Sequence, residues 1–342
     1  MAERTEREAA ITAFLDASGW AGAVRRPLAA DASFRRYHRV ALDGRRAILM
    51  DAPPEKEDVR PFVAIARHLS KLGFSAPRID AEDAGRGFLL LEDLGDDTFT
   101  RKLIGATADN EERLYARAID VLAALHRLPE DRAVPSGLAP YDAAKLNAEA
   151  DLLAEWYAPA VLGRALSDEA RAAYRDAWTP AFAALAAEPK TLVLRDYHVD
   201  NLMWLPDRAG IAQVGLLDFQ DAVAGPAAYD LMSLLEDARR DIAPVLVERM
   251  LARYQAQVPA AANDRFRASY AVLAAQRHAK VIGIFTRLCR RDGKPHYLVH
   301  LPRVWRLLER ALAHPLLRPV NAWLERHLPP ATRRVPVAEA KA

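Results

Sequence analysis

Residues 194–220 read LRDYHVDNLMWLPDRAGIAQVGLLDFQ. Asp196 is followed five positions later by Asn201, and Asp218 closes a short apolar run that ends in Asp-Phe. That order suits phosphoryl transfer, whose loose transition state needs alignment and charge neutralisation more than covalent help. Asp196 can orient and deprotonate an attacking hydroxyl. The Asn201 oxygen and the Asp218 carboxylate can hold Mg²⁺, a hard cation that takes oxygen ligands. Residues 191–194 and 214–217 read as short buried strands that present these groups at their ends. The D-x-x-x-x-N spacing alone arises by chance in a chain of this size, and the L-L-D-F-Q that follows gives it weight.

Outward from this stretch, the composition is that of a globular protein: 342 residues, 51% hydrophobic, 27% charged, net charge +2. Length and composition allow two units with cores of their own. The near-neutral balance argues against a dedicated nucleic-acid binder. Cys289 is the single cysteine, so no intrachain disulfide forms, which fits a cytoplasmic setting. The N-terminal MAERTEREAAITAFL is charged throughout, unlike a signal peptide, and no uncharged apolar run approaches a membrane span. A G-x-x-x-x-G-K-[ST] string is absent, which excludes a P-loop enzyme.

Periodicity divides the chain into a strand-rich beginning and a helical remainder. A helix is expected over 3–18, strands over 27–40 and 45–50 around a turn at Asp43–Gly44, a helix over 59–72, and strands over 77–81 and 87–91. Helices follow over 111–127, 145–158, 168–187, 228–238, 244–257, 264–291 and 302–313. The expected fold class is α+β and bilobal, with a small N-terminal sheet lobe and a larger, mainly helical C-terminal lobe. A nucleotide-binding lobe is expected over 1–93, a catalytic and substrate lobe over 94–330 and a flexible tail over 331–342.

With these elements in order, the chain resembles the aminoglycoside phosphotransferase and choline kinase superfamily over residues 14–312. The resemblance rests on RGFLLLEDLG (86–95), ALHRLP (124–129), LRDYHVDNLMW (194–204) and LLDFQDAVAGPAAYDL (216–231). Within that superfamily it is similar to bacterial kinases that phosphorylate N-acetylmuramate and N-acetylglucosamine at the anomeric hydroxyl in cell-wall recycling. DASFRRYHR (31–39), MDAPPEKEDVRPF (50–62) and GIFTRLCRRDGKPHYL (283–298) carry that closer likeness. The resemblance implies a protein-kinase-like fold, ATP and Mg²⁺ as cofactors, Asp196 as the catalytic aspartate and Asn201 and Asp218 as metal ligands. It puts Ser33, Phe34, Arg35, Arg36 and Tyr37 in the loop that covers the phosphates, and Glu92, Asp93 and Leu94 where main-chain groups meet adenine. Asp230 matches an acid that braces the catalytic loop. Three departures stand out. Leu194 replaces a structural His, the phosphate loop lacks glycines, and Met50 occupies the strand position of a nucleotide-binding Lys, with no partner Glu in PFVAIARHL (61–69). The positive charge must then come from arginines, with Arg35, Arg36, Arg45 and Arg46 as candidates.

On the acceptor side, His198, Gln220 and Asp221 flank the motif and can meet sugar hydroxyls. In AEWY (154–157), Glu155, Trp156 and Tyr157 offer a carboxylate and aromatic faces suited to a sugar ring, or else are packing residues. Arg277, Lys280, Arg287 and Arg291 share one face of the late helix. That face is either solvated or borders the acceptor, where it would suit the lactyl carboxylate of N-acetylmuramate and repel a polycationic aminoglycoside. The expected partner is a small amino sugar, with no nucleic acid and no membrane, bound by a monomer. Kinases for other hydroxyl compounds (aminoglycoside, choline, homoserine) and a non-catalytic nucleotide-binding regulator are the alternatives.

Overall fold

The computed structural model describes residues 2–28 and 34–337. In chain order the elements are α1 (Ala2–Ala17), β1 (Val24–Pro27), β2 (Arg36–Leu42), β3 (Arg45–Asp51), α2 (Arg60–Lys71), β4 (Ile79–Asp83), β5 (Phe88–Glu92), α3 (Phe99–Leu103) and α4 (Ala108–His126). Then come α5 (Glu130–Ala133), α6 (Ala143–Leu152), a π-helical turn (Leu153–Tyr157), α7 (Ala158–Leu162), α8 (Asp168–Leu185), β6 (Lys190–Val193), β7 (Leu202–Trp204), β8 (Val214–Leu216) and β9 (Val223–Pro226). The chain finishes with α9 (Ala228–Leu235), α10 (Pro244–Gln257), α11 (Asp264–Arg290), α12 (Leu301–Leu312) and α13 (Arg318–His327). A small sheet followed by a mainly helical remainder is the fold class expected. No helix among the described residues is long and apolar enough to cross a membrane.

The chain forms two compact units. The first joins Met1–Val121 to Val199–Ala222, and the second joins Leu122–His198 to Val223–Ala342. This division departs from the 1–93 and 94–330 expected from sequence. The 199–222 segment packs into the first unit because its backbone pairs there. Leu216 N–H donates to Ser75 O at 2.8 Å and Trp204 N–H to Asp97 O at 2.7 Å. Phe219 also stacks on Phe62 of α2, with ring centroids 4.9 Å apart.

In the first unit the antiparallel sheet runs β1-β2-β3-β5-β4. The β2–β3 hairpin turns at Asp43 (φ 49°) and Gly44 (φ 76°). Two left-handed residues in a two-residue loop match the right-handed twist of the flanking strands, so this turn was readable as Asp-Gly. Alternation along the strands puts Val40, Ala47, Leu49, Phe88 and Leu90 against Ile11, Phe14 and Leu15 of α1. The other face carries Tyr37, Ile48 and Leu91. The single strand expected over 27–40 is two strands, β1 and β2.

In the second unit, side-chain caps start the long helices. Asp142, Ser167 and Asn263 accept from the N–H groups of Lys145, Ala170 and Phe266, respectively. The helix expected over 145–158 is interrupted at the π turn, where α11 comes very close. A Cβ added to Gly283 would lie 2.3 Å from the carbonyl carbon and oxygen of Leu152. Helix propensity alone would make Gly283→Ala stabilising by about 1 kcal/mol. Backbone contact reverses that sign, and we expect Gly283→Ala to destabilise by about 1–3 kcal/mol in denaturant melts. A stability equal to or above that of the unsubstituted protein would contradict this packing.

The tail expected to be flexible from 331 is packed as far as Arg334. The Arg333 guanidinium pairs with Glu309 at 2.7 Å and Glu325 at 2.6 Å. Arg334 O accepts from the Tyr157 hydroxyl at 2.8 Å. Residues 338–342 lie outside the described residues.

Candidate active site

The first unit contains a cavity of about 620 Å³, a size typical of small-molecule sites. Leu28, Ile48, Pro77, Leu91, Met203 and Leu217 give it apolar walls. Glu92, Asp93 and Leu94 line one edge, together with Gly95 and Asp96. The acids of this edge are committed within the protein. Asp93 pairs with Arg39 at 2.8 Å and accepts from Gly95 N–H at 3.0 Å. Glu92 pairs with Arg208 at 2.6 Å. A flat heteroaromatic base would therefore meet main chain and apolar walls here rather than charge.

Arg35, Glu57, Asn201, Asp218, Gln220 and Asp221 line the polar part of the same cavity. Asp218 leaves β8 in the left-handed region at φ 57°, a conformation that costs a non-glycine residue energy and clusters at functional sites. The neighbouring Phe219 is buried and stacked on Phe62, which fixes the turn. Leu217 N–H donates to Asn201 O at 3.0 Å, tying together the segments that carry Asn201 and Asp218. The Asp218 side chain remains 44% exposed, with the Arg35 guanidinium 3.7 Å away. The exposed Asp218 carboxylate and the Asn201 amide oxygen, both on the cavity wall, are hard oxygen donors of the type Mg²⁺ takes. Gln220 Nε2 donates to Asp218 Oδ1 at 2.9 Å, so Gln220 and Asp221 belong beside Asp218 in this cavity.

Other positions assigned to the nucleotide differ from expectation. Met50 lies on the cavity face of the sheet, in register with Tyr37 and Leu89, but it is fully buried there and is not among the residues that line the cavity. Arg36 alternates away from Arg35 and Tyr37 on β2. Phe34 is exposed beneath the Lys56 ammonium, 5.7 Å from it. Arg45 lies over the Trp20 ring at 4.7 Å and donates to Gly19 O. Ser33 lies outside the described residues.

In the second unit, β6 pairs with β9 and delivers the loop that carries Asp196. Asp230 braces this loop: its two oxygens accept from Leu194 N–H at 2.6 Å and Arg195 N–H at 2.9 Å. Arg195 is left-handed at φ 69°, which turns the chain sharply before Asp196. Burial pushes the Asp230 carboxyl up to about 7, against the pull of those two donors. Burial also pushes Asp196 upward, but Lys280, His198, Arg277 and Arg195 outweigh it and hold its carboxyl below the usual range. Asp196 is therefore ionised at neutral pH, the state a proton acceptor needs.

Beside it lies a buried network that the sequence did not reveal. The Glu149 carboxylate accepts from the Tyr141 hydroxyl, from Gln276 Nε2 at 3.1 Å and from the Arg195 guanidinium, and pairs with Lys280 at 3.2 Å. Burial raises Glu149, and Lys280 and Arg195 bring it back below its ordinary value. The basic face of α11 splits along its length. Arg277 and Lys280 turn inward toward Asp196, whereas Arg291 is exposed and pairs with Asp292.

His198, read as either an exposed loop residue or a substrate contact, is buried. Burial lowers its pKa, with Asp237 and Asp196 opposing. The aromatic segment of the π turn is packing. Tyr157 is fully buried against Trp305, and Glu155 pairs with Arg171 on the surface. Trp156 is half-buried on the same turn.

Residues 24–269 match the Phosphotransferase enzyme family. The chain is 39% identical to the N-acetylmuramate/N-acetylglucosamine kinase of Caulobacter vibrioides, over 96% of this chain and 99% of that one. It is 42% identical to the Pseudomonas putida enzyme of the same name, over 80% of this chain and 79% of that one. Among solved structures, choline kinase LicA from Streptococcus pneumoniae is similar at a TM-score of 0.61 and 11% identity, covering 90% of this chain and all of that one. The streptomycin–ATP ternary complex of the aminoglycoside phosphotransferase APH(2")-IIa is similar at 0.54 and 15% identity, covering 86% and 92%. These two show the fold.

Proposed function

The chain belongs to the Phosphotransferase enzyme family, and we propose that it is an ATP- and Mg²⁺-dependent kinase that phosphorylates N-acetylmuramate and N-acetylglucosamine at the anomeric hydroxyl. One observation carries the acceptor reading: the charges of Lys280, Arg277 and Arg195 hold the buried Asp196 carboxyl below the usual range. That surround favours a carboxylated sugar such as N-acetylmuramate and opposes a polycation. The relatives that share this name are 35–42% identical, as seen from Neisseria meningitidis to Pseudomonas putida.

In this mechanism Asp196 accepts a hydrogen bond from the attacking hydroxyl and takes its proton. The Asp230 brace keeps the loop in its strained turn, so that Asp196 is positioned before substrate arrives. Lys280 and Arg277 draw in the anionic acceptor and keep Asp196 charged. Glu149 in turn holds Arg195 and Lys280. The cavity of the first unit takes the nucleotide, with its base against the Glu92–Leu94 main chain and its phosphates toward Asn201 and Asp218. Mg²⁺, held by the Asn201 and Asp218 oxygens, would neutralise phosphate charge. An ATP donor fits a cytoplasmic enzyme, working as a monomer on a small molecule.

The test is ADP release with Mg²⁺–ATP across N-acetylmuramate, N-acetylglucosamine, kanamycin, choline and no acceptor. We expect release above the no-acceptor rate with the two amino sugars alone. Release confined to kanamycin or choline would overturn the acceptor assignment, and no release with any of them would overturn the kinase reading.

A further inference from the structure

Lys280, Arg277 and Arg195 all act on Asp196, and two of them are engaged elsewhere. The Arg195 guanidinium donates to Glu149, and Lys280 Nζ lies 3.2 Å from the same carboxylate. Arg277 is the third. It sits one turn before Lys280 on α11 and is 5% exposed. Its Nη1 is buried and meets no hydrogen-bond acceptor among the described residues. The helix on either side of it is pinned. Gln276 Nε2 donates to Leu146 O at 3.2 Å and to Glu149 at 3.1 Å, and His278 Nε2 lies 2.8 Å from Glu236 Oε2. The guanidinium is therefore held in place before any ligand arrives, which lowers the cost of binding one. A buried charged donor without an acceptor is expensive, and each such group calls for a partner. The charge of Arg277 acts on Asp196 and His198 in the catalytic loop and on Asp230, which braces that loop. The missing partner is thus an anion placed beside the acceptor hydroxyl. A carboxylate matches, because its two oxygens meet the guanidinium fork. In N-acetylmuramate the lactyl ether stands on the ring carbon two along from the anomeric one, so its carboxylate falls close to the reacting oxygen.

Resting on the kinase reading, we propose that Arg277 binds the carboxylate of the acceptor and sets how strongly a carboxylated amino sugar is preferred over a neutral one, while Arg195 and Lys280 serve the loop through Glu149. The cationic surround then divides into a part that holds the catalytic loop and a part that reads the substrate. A neutral sugar such as N-acetylglucosamine leaves Nη1 of Arg277 unanswered and forfeits that contact.

The experiment compares kcat/KM for N-acetylmuramate, its methyl ester and N-acetylglucosamine in the unsubstituted protein, Arg277→Met and Arg277→Lys. The ester keeps the bulk of the lactyl group and lacks its charge. The unsubstituted protein is expected to prefer the acid over the ester by about 10- to 100-fold. Arg277→Met should bring that ratio close to one by raising KM for the acid, and Arg277→Lys should restore part of it. A loss shared by all three sugars is also expected, since Arg277 helps to keep Asp196 charged, so only the ratio separates a direct contact from that shared effect. An acid-to-ester ratio that Arg277→Met leaves unchanged would overturn the proposal. So would an unsubstituted protein that uses acid and ester equally well, a result that needs no variant. Turnover with none of the three sugars in the unsubstituted protein would instead overturn the kinase reading beneath it.

Discussion

Asp196→Asn is expected to lower turnover by about 10²- to 10⁴-fold, the usual contribution of a positioned general base, with fold and nucleotide affinity unchanged. Asparagine keeps the size of the side chain and can still accept one hydrogen bond, but it cannot take the proton. Lys280, His198, Arg277 and Arg195 all bear on this carboxylate. Removing its charge leaves Lys280, Arg277 and Arg195 with more field for an anionic acceptor. The KM for N-acetylmuramate should therefore hold or fall while kcat drops, a split that separates lost chemistry from lost binding. The pH profile gives a second check. A base whose pKa lies below the ordinary carboxylate range is in its active form above that pKa, so Asp196 should impose no loss of kcat/KM between pH 8 and pH 5. Near-wild-type turnover in Asp196→Asn would remove Asp196 from the mechanism.

Glu149→Gln is expected to cost about 3–5 kcal/mol of stability, the range for removing one partner from a buried ion pair. Glu149 is buried and faces two cations, Arg195 and Lys280. Glutamine can still meet Tyr141 and Gln276, so the loss falls on the charge. The sign with pH follows from the lowered pKa. Stability from Glu149 is fully present above its unfolded pKa of about 4.3 and disappears as pH falls through the lower folded value. The difference between Glu149→Gln and the unsubstituted protein should therefore be largest near neutrality and shrink below pH 4. Turnover should fall as well, because Arg195 adjoins Asp196 and loses its anchor. Urea melts at pH 7 that differ by less than 1 kcal/mol would show that the network does not hold the loop.

The sequence singles out Asp196, Asn201 and Asp218 by local spacing, and the structure puts Asn201 and Asp218 in one cavity and Asp196 on a loop braced by Asp230. The apolar strand running into Glu-Asp-Leu-Gly reads as the end of β5, and Glu92–Leu94 line that same cavity. Glu149 was not legible, because its partners Tyr141, Arg195, Gln276 and Lys280 come from three separate segments distant from one another in sequence. No single-chain pattern marks a carboxylate in a helix such as AAKLNAEADL as the hub of a buried network. Burial misled in both directions. Trp156 and Tyr157 have the composition of a sugar platform, yet Tyr157 closes the core against Trp305. Met50 falls at a strand position that the resemblance assigns to ligand; it lies on the cavity face in register with Tyr37 but is fully buried there. The basic stripe on α11 was seen, but only three-dimensional packing separates its inward half, Arg277 and Lys280, from the solvated Arg291.

Phosphorus NMR of the product decides whether phosphate moves to the anomeric oxygen of an amino sugar. With Mg²⁺–ATP and N-acetylmuramate, we expect a single phosphate monoester whose phosphorus couples to the anomeric proton, in a sugar that no longer mutarotates. A product whose phosphorus couples to the C6 methylene protons, or one that keeps a free reducing end, would contradict it.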